Sequence, residues 1–337
     1  MEGFALEQDT AGETPAGPTG GTPLLLCDGC DHFMNPDLQT RMTIIIPAWN
    51  AAIYIAAVLE SALVQITSAH EVVVVDDGST DATAEICGRY SRARLVHQAN
   101  SGVSVARNHG ARLTTAEWML FLDSDDILLP HALKALLAAA VANPGAGVVY
   151  GRVLMRGRTA AETRLHGHSS AAGIPPHPAR ANFCRSVLST PGAALVRRSL
   201  FDAVGGFVAG YEPMEDRDFW VKCGLLAPFA FCDTVVLDKT FREGAAHTQT
   251  ARRITRGLQS QLALASWCEE RGLDWGTLGE TPATCVNRAL REAVWYRCPE
   301  VIPGLLEEAR RQGVRSIAGA RAWIAWQAAK LQGHTAL

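Results

Sequence analysis

Residues 71–80, EVVVVDDGST, and residues 118–126, WMLFLDSDD, share one arrangement: a short apolar run leads directly into a cluster of acidic residues. An unbroken run of Val, Leu and other apolar residues is typical of a strand that is buried on both faces, as in a parallel sheet covered by helices. Ligands of such sheets bind beyond the carboxyl ends of the strands. The two stretches therefore predict a parallel sheet with an acidic binding edge.

Strand-like and helix-like segments alternate along residues 42–150. The predicted strands are Met42–Ile46, Val72–Val75, Leu95–Gln98, Trp118–Leu122 and Val148–Leu154. The helices predicted between them are Ala51–Gln65, Thr83–Tyr90, Val103–Leu113 and Pro130–Val141. Later segments complete the sheet region with a strand at Ala193–Val196, a helix at Glu215–Leu226 and strands near Phe229–Phe241. This order predicts an α/β fold, with helices on both faces of a doubly wound, mostly parallel sheet.

The chain is expected to have three parts: a leader at residues 1–41, a sheet domain at 42–250 and a helical C-terminal region at 251–337. Residues 1–40 of this leader contain seven acidic residues, no Lys or Arg, and many Pro and Gly residues. That composition is typical of a disordered segment. The alternative is a misassigned start, with Met34 or Met42 as the first residue of the natural protein.

Composition and charge exclude several classes of protein. Apolar residues make up 48% of the chain and the formal net charge is −3. A chain with this charge has no overall positive potential that would attract the phosphates of a nucleic acid, so nucleic acid is not an expected partner. The nine cysteines are an odd number and mostly lie in apolar segments, which predicts reduced thiols in a cytoplasmic protein. Cys27 and Cys30 have the spacing of a metal or redox pair, but no second pair complements them and their role stays open.

The sequence predicts no membrane-spanning helix, because no stretch of 18 or more apolar residues occurs in it. The first residues also lack the basic region of a signal peptide. Residues 314–331 contain Arg and Lys but no acidic residue, with apolar residues at helical spacing. Two interpretations remain open for this segment: a peripheral helix on the inner face of an anionic membrane, or a helix packed on the folded domain, which is slightly favoured.

The predicted strand at Trp118–Leu122 is followed by Asp123 and Asp125, whose side chains can face the same cavity from a turn. Clustered carboxylates repel one another unless a cation lies among them, and Mg²⁺ typically binds one or two protein carboxylates together with phosphate oxygens. The alternative is that these acids only cap helices and tighten turns. Since neither GxGxxG nor GxxxxGK[ST] occurs, a diphosphate is expected to be held by the metal and by basic groups such as Arg107.

A third acidic group, Glu215, Asp216 and Asp218, lies at the start of a predicted helix. Negative charge is favourable at the N-terminal end of a helix, because the helix dipole is positive there. This effect alone could explain the three acids. The functional interpretation is a general base directed at the cavity from the helix start.

Five blocks of the chain, in order, resemble the family 2 inverting glycosyltransferases, which have the GT-A nucleotide-sugar fold. They are Ile44–Asn50, Val72–Thr83 (VVVVDDGSTDAT), Gly102–Gly110 (GVSVARNHG), Phe121–Pro130 (FLDSDDILLP) and Glu215–Trp220 (EDRDFW). The match covers about residues 42–245. Trp49 stands where Tyr is commoner in the family. The QxxRW block of processive members is missing, which implies the addition of one or a few sugars.

The resemblance implies a role for each matching residue. The implied donor-binding residues are Pro47, Ala48, Asn50, Asp76, Asp77, Arg107, Asp123 and Ser124. Among them, Asp76 would accept a hydrogen bond from uracil, Asp123 would lie by the ribose and Arg107 would face the base or the diphosphate. The implied ligands of Mg²⁺ or Mn²⁺ are Asp125, Asp123 and His247. Asp216 would be the catalytic base, with Glu215 as the second candidate.

The implied reaction is metal-dependent transfer of a sugar, with inversion, from a UDP-linked donor to a hydroxyl of a glycan or lipid-linked acceptor. Two alternatives remain: a sugar-1-phosphate nucleotidyltransferase and a nucleotide-sugar-binding protein without catalysis. The first would need a Gly-rich basic loop after the first strand, and Pro47–Tyr54 contains neither Gly nor Lys. The second is disfavoured by the intact acidic motifs.

Overall fold

A computed structural model describes residues 40–157, 163–166, 178–179, 188, 190–240 and 249–314. Several sequence predictions fall outside this range: the leader up to residue 39, including Cys27 and Cys30, the proposed ligand His247, and residues 315–331 of the basic segment.

The described residues form nine strands and nine α-helices. The strands are β1 (Met42–Ala48), β2 (His70–Asp76), β3 (Ala93–His97), β4 (Trp118–Phe121), β5 (Ile127–Leu128), β6 (Val148–Arg156), β7 (Arg164–His166), β8 (Ala194–Arg197) and β9 (Phe229–Thr240). The helices are α1 (Ile55–Leu63), α2 (Thr83–Cys87), α3 (Val103–Arg112), α4 (Ala132–Ala142), α5 (Arg198–Val204), α6 (Glu215–Leu226), α7 (Thr250–Glu269), α8 (Pro282–Trp295) and α9 (Ile302–Arg311).

All nine strands belong to one sheet, in the order β3-β2-β1-β4-β8-β6-β9-β5, with β7 paired to β6. The strands β1, β2, β3 and β4 are mutually parallel. The next strand, β8, is antiparallel to both β4 and β6, and β9 is parallel to β6. Six strands (β1–β4, β6 and β9) therefore run in the same direction, which confirms the prediction of a mostly parallel sheet.

Helices cover both faces of this sheet, as the sequence predicts. Along β1, Ile44 and Ile46 face one side and pack with residues of α1 and α4. Ile45 faces the other side and packs with residues of α5 and α6. Because side chains alternate between the two faces of a strand, a run buried on both sides requires helices on both. The apolar runs that decide the fold are thus buried completely, as in Val72–Val75.

The helices α7, α8 and α9 form the C-terminal helical region and share a second apolar core. That core includes Leu258, Leu290 and Leu305, one from each helix, and also Val221 of α6. The helical prediction for this region is therefore confirmed as far as Arg311, the last residue of α9. No helix in the described ranges combines the length and the apolar character needed to cross a membrane.

Three elements were not predicted from the sequence: β5, β7 and α5. They contain two, three and seven residues. The two strands among them are too short to show a periodic pattern, and their conformation depends on partners that are distant in the chain. β5 pairs with β9, more than a hundred residues later in the sequence.

Candidate active site

The carboxyl end of β2 carries Asp76 and Asp77, both buried. Asp76 accepts a hydrogen bond from the backbone of Ser79 at 3.1 Å, and its second oxygen lies 3.0 Å from His97 Nδ1. Asp77 accepts hydrogen bonds from the Gln98 side chain and from the backbone amides at 101 and 102, at 2.7–2.9 Å. Asp77 therefore holds the loop that leads into α3, whereas Asp76 joins the turn after β2 to the end of β3.

The turn after β1 lies next to these two acids. Pro47 and Ala48 are buried at the end of the strand, and the Ala48 carbonyl accepts a hydrogen bond from the Asp77 amide at 2.8 Å. Asn50 has a positive φ of 49°. Its side chain accepts a hydrogen bond from the Thr80 amide at 2.8 Å. Asn50 thereby fixes the β1 turn to the β2 turn and shapes the surface between them.

The residues after β4 form a cluster in which Asp123, Asp125 and Asp126 each offer a carboxylate oxygen within 4.8 Å of the others. Asp123, Asp125 and the intervening Ser124 are half-buried, whereas Asp126 is completely buried. One oxygen of Asp126, Oδ1, has no hydrogen-bond partner. An oxygen-only group of this kind is the chemistry that Mg²⁺ and Mn²⁺ prefer.

Arg107 joins this cluster to the start of α6. Its guanidinium is buried and donates to Asp123 Oδ1 at 2.6 Å and to Glu215 Oε1 at 3.0 Å. It also lies over the ring of Phe207, with the guanidinium carbon 5.0 Å from the ring centre. Burial lowers the pKa of Arg107, but the charges of Asp123 and Glu215 more than offset this and raise it. From the sequence, Arg107 was expected to face the donor, and this bridge between two acidic groups was not predicted.

Lys239 is a second cation in the site, and it was not predicted from the sequence. Its Nζ lies 2.9 Å from Asp126 Oδ2 and 3.5 Å from Asp123 Oδ2. Burial raises the pKa of Asp126 to about 6, although Lys239 acts in the opposite direction. Burial also raises the pKa of Asp123, but Arg107 and Lys239 lower it below the ordinary value overall. The only sequence signal was a lysine near the end of a long apolar strand.

Glu215 and Asp216 begin α6, where the dipole of the helix favours negative charge. Glu215 is buried against Arg107, while Asp216 is half-buried and accepts a hydrogen bond from the Arg217 amide at 2.6 Å. Burial, followed by the charge of Glu215, raises the pKa of Asp216 to about 7. A carboxylate with a pKa near neutrality is suited to accept a proton.

The described residues of the site contain more acids than bases. Five carboxylates, those of Asp123, Asp125, Asp126, Glu215 and Asp216, are accompanied by the two cations Arg107 and Lys239. An anionic ligand would be repelled by such a site unless a cation is bound with it.

The two acidic turns lie at the same edge of the sheet. Asp76 ends β2 and Asp123 follows β4, and both strands pair with β1 in parallel register. Adjacent strands are about 4.8 Å apart, so the two turns are separated by roughly 10 Å across the edge. Asp76 is bonded to Ser79 in the turn after β2 and to His97 at the end of β3, whereas Asp123 is bonded to Arg107 and Lys239. The turns therefore form two neighbouring parts of one elongated surface.

The chain is similar in sequence to known glycosyltransferases. The family model described as Glycosyl transferase family 2 matches residues 43–205. A PGL/p-HBAD biosynthesis glycosyltransferase of Mycobacterium bovis (strain BCG) is 32% identical over 187 residues, which are 54% of this chain and 68% of that protein. The uncharacterized glycosyltransferase YibD of Escherichia coli K12 is 37% identical over 105 residues, 30% of each protein, so the match spans less than a third of YibD.

Two solved structures are similar in fold. S. aureus TarS 1–349 in complex with UDP-GlcNAc has a TM-score of 0.56 and 20% identity, with 85% of this chain and 79% of that chain covered. The mannosyltransferase PcManGT of Pyrobaculum calidifontis, in complex with GDP-Man and Mn²⁺, has a TM-score of 0.52 and 22% identity, with 87% and 80% covered. At these identities the comparison shows a shared GT-A-like fold.

Proposed function

Since the chain belongs to glycosyltransferase family 2, we propose that it transfers a sugar from a nucleotide-sugar donor to an acceptor hydroxyl with the help of a divalent cation. The observation that carries the proposal is the bridge that Arg107 makes between Asp123 and Glu215. This bridge joins a group of acids suited to a metal with a group suited to a general base. Family membership weighs against the nucleotidyltransferase alternative.

Asp123 and Asp125 are the proposed ligands of Mg²⁺ or Mn²⁺. The oxygen-only cluster fits either ion, and the excess of carboxylates over cations in the site supports a role for a bound cation. The Mn²⁺ in the PcManGT complex is consistent with this choice. Bound there, such an ion would act as a Lewis acid that stabilises the charge of a diphosphate leaving group. His247 remains a proposed ligand outside the described residues.

The remaining donor contacts are proposed along the edge from β2 to β4. Pro47, Ala48 and Asp76 would contact the base, and Asp123 and Ser124 would lie beside the ribose and the diphosphate. Asn50 and Asp77 would act by holding the two turns in place, because their side chains are bonded to loop amides. We propose that the donor is linked to UDP. The TarS structure contains a donor of this kind, UDP-GlcNAc, whereas the PcManGT structure contains GDP-Man.

Asp216 is the proposed base. It would take the proton from the acceptor hydroxyl as that oxygen attacks the sugar, and a pKa of about 7 leaves it able to do so at neutral pH. Glu215, held by Arg107, would keep the bridge in place instead of accepting a proton. With one base and no second carboxylate acting as a nucleophile, a single displacement inverts the anomeric carbon.

The proposed acceptor is a glycan or a lipid-linked molecule in the cytoplasm. The M. bovis relative is named for the biosynthesis of PGL/p-HBAD. Peripheral contact with the inner face of a membrane through residues 314–331 stays part of this proposal.

The experiment is a turnover assay with the donor selected by a thermal-shift screen of nucleotide sugars with Mn²⁺. Asp216→Asn should lower sugar transfer by about 10²–10⁴-fold while the affinity for donor and Mn²⁺ changes by less than about threefold. Glu269→Gln, which changes an exposed carboxylate on α7, is the control and should transfer at the wild-type rate. Full transfer by Asp216→Asn would contradict the assignment of the base.

A further inference from the structure

We propose that Lys239 is the built-in counter-ion of the acidic cluster: it holds Asp126 away from the divalent cation and sets the affinity of Asp123 and Asp125 for that cation. The inference rests on the proposed function, because it concerns the same metal site. It assigns a role to a residue that the family motifs quoted above do not contain.

The backbone places Lys239 opposite Asp126. The strand β5 pairs with β9 in antiparallel register, with Ile127 opposite Asp238 and Leu128 opposite Leu237. One further step in this register brings residue 126 opposite residue 239. The position of the lysine is therefore fixed by strand pairing, and its side chain reaches the cluster without a flexible loop.

The side-chain contacts show which carboxylate forms the ion pair with Lys239. Asp126 Oδ2 accepts from Lys239 Nζ at 2.9 Å and from the Thr190 hydroxyl at 3.2 Å. Asp126 is completely buried, and these two protein donors occupy Oδ2 whereas Oδ1 has no hydrogen-bond partner. Lys239 Nζ lies farther from Asp123 Oδ2, at 3.5 Å, and Asp123 and Asp125 are both partly exposed to solvent.

These contacts give the three carboxylates of the cluster different roles. Asp126 is paired with the lysine, so the metal would bind at Asp123, whose Oδ1 also contacts Arg107, and at Asp125. The ammonium group lies beside Asp123, so it repels a divalent cation bound there and weakens its binding. Removing the lysine charge should therefore tighten metal binding. Removing the Asp126 charge should weaken it, although Asp126 would not be a ligand.

The test is a double-mutant cycle on the full-length protein, with binding of Mn²⁺ alone measured by the electron paramagnetic resonance signal of the free ion. Lys239→Met should bind Mn²⁺ about tenfold more tightly than the wild type, and Asp126→Asn about tenfold more weakly. The double variant restores the charge balance and should return to within about threefold of the wild type. Lys239→Arg keeps the charge and should also stay within about threefold.

Each possible result decides the question. Equal Mn²⁺ affinity of Lys239→Met and the wild type would overturn the inference while leaving the metal site intact. Weak binding by Asp126→Asn that Lys239→Met fails to restore would also overturn it, because Asp126 would then be a ligand. If neither the wild type nor Lys239→Met binds Mn²⁺, the proposed metal site itself fails. Should Lys239→Met not fold, Asp126→Asn and the charge-balanced double variant still provide the decisive comparison.

Discussion

Glu215 and Asp216 are neighbours in the chain but have different surroundings. The Glu215 carboxylate accepts a charge-assisted hydrogen bond from Arg107, whereas Asp216 accepts one from the Arg217 amide and remains partly exposed. Two adjacent carboxylates in one site repel each other, and this repulsion disfavours the ionised form of the carboxylate that has less compensation. The pKa of Asp216, raised to about 7 by burial and then by Glu215, reflects this difference.

This rise predicts how the stability of an Asp216→Asn variant depends on pH. The ionised form of Asp216 is penalised in the folded protein, so the penalty is complete above pH 7 and is lost as the pH falls towards 4. A rise of the Asp216 pKa from 3.8 to about 7 corresponds to about 4 kcal/mol. At pH 8 the variant should therefore be more stable than the wild type by roughly that amount, which corresponds to about 8 °C or more in Tm. At pH 5 the difference should fall to roughly a third of that value.

Thermal unfolding at pH 8 and pH 5, without metal, measures this difference. Glu269→Gln removes an exposed carboxylate and is the matched control, which should melt with the wild type at both values. A variant that melts below the wild type at pH 8 would show that Asp216 carries no such penalty.

For single residues, the acids of the site could be predicted from the sequence, but the residues that form ion pairs with them could not. Asp123 and Asp125 could be identified because they directly follow an apolar strand, which is a local signal. The contacts of Asp123 with Arg107, 16 residues earlier, and with Lys239, 116 residues later, depend on the packing of α3 and the register of β9. Sequence patterns describe the periodicity of single elements and contain no information about such pairs.

Among the helices and strands, α3 carries Arg107, and it packs closely on the sheet at Gly110. A Cβ built on Gly110 would lie 2.4 Å from Ile45 Cγ2 and 3.3 Å from Val75 Cγ2. The helix can approach β1 and β2 at this point because the residue has no side chain. Since Arg107 lies one turn away on the same helix, this close approach helps to bring its guanidinium to Asp123.

Gly110→Ala should therefore destabilise the protein, although alanine is the better helix former. Overpacking against the sheet should cost about 1–3 kcal/mol in the free energy of unfolding. Gly304→Ala is the matched control, because Gly304 is an exposed helical residue of α9 with no atom within 4 Å of the built Cβ. It should raise stability by about 0.5–1 kcal/mol. Urea unfolding measures both, and a Gly110→Ala protein as stable as the wild type would refute the packing argument.

The predictability of each element followed its length and pattern. The core strands β1, β2 and β4 were identified because they are continuous apolar runs, and their predicted ends agree with the structure to within two residues. Helix α1 begins at Ile55, four residues after its predicted start, because residues 52–54 form a turn at the site edge. The two-residue β5 has too few residues to show a period, and it exists through its pairing with β9.

At the scale of the whole molecule, the C-terminal helices and the base-bearing helix α6 share one core. Val221 of α6 belongs to the apolar cluster of α7, α8 and α9. Next to it, Lys222 is buried, with its Nζ 2.7 Å from Asp218 and 5.6 Å from the ring centre of Trp267 on α7. The position of α6 therefore depends on the helical region as well as on the sheet.

Lys222→Met should test this connection. The substitution leaves the buried Asp218 carboxylate without its ion pair, and breaking a buried pair in this way costs about 3–5 kcal/mol. Burial already raises the pKa of Asp218, and Lys222 acts against that rise. The double variant Lys222→Met with Asp218→Asn removes the stranded charge and should regain at least half of the loss. If denaturant titrations gave the same stability for Lys222→Met and for the double variant, the stranded Asp218 charge would not be the cause of the loss, and the argument for the buried pair would be wrong.

The central claim is that the acids after β4 bind a nucleoside diphosphate through a divalent cation. The most direct measurement is calorimetric titration of the nucleoside diphosphate from the donor selected in the thermal-shift screen, into wild type with Mn²⁺, wild type with EDTA, and Asp125→Asn with Mn²⁺. The account predicts binding in the first case and affinity at least about tenfold weaker in the other two, because metal and phosphate oxygens complete one coordination shell. Equal affinity in all three titrations would contradict it.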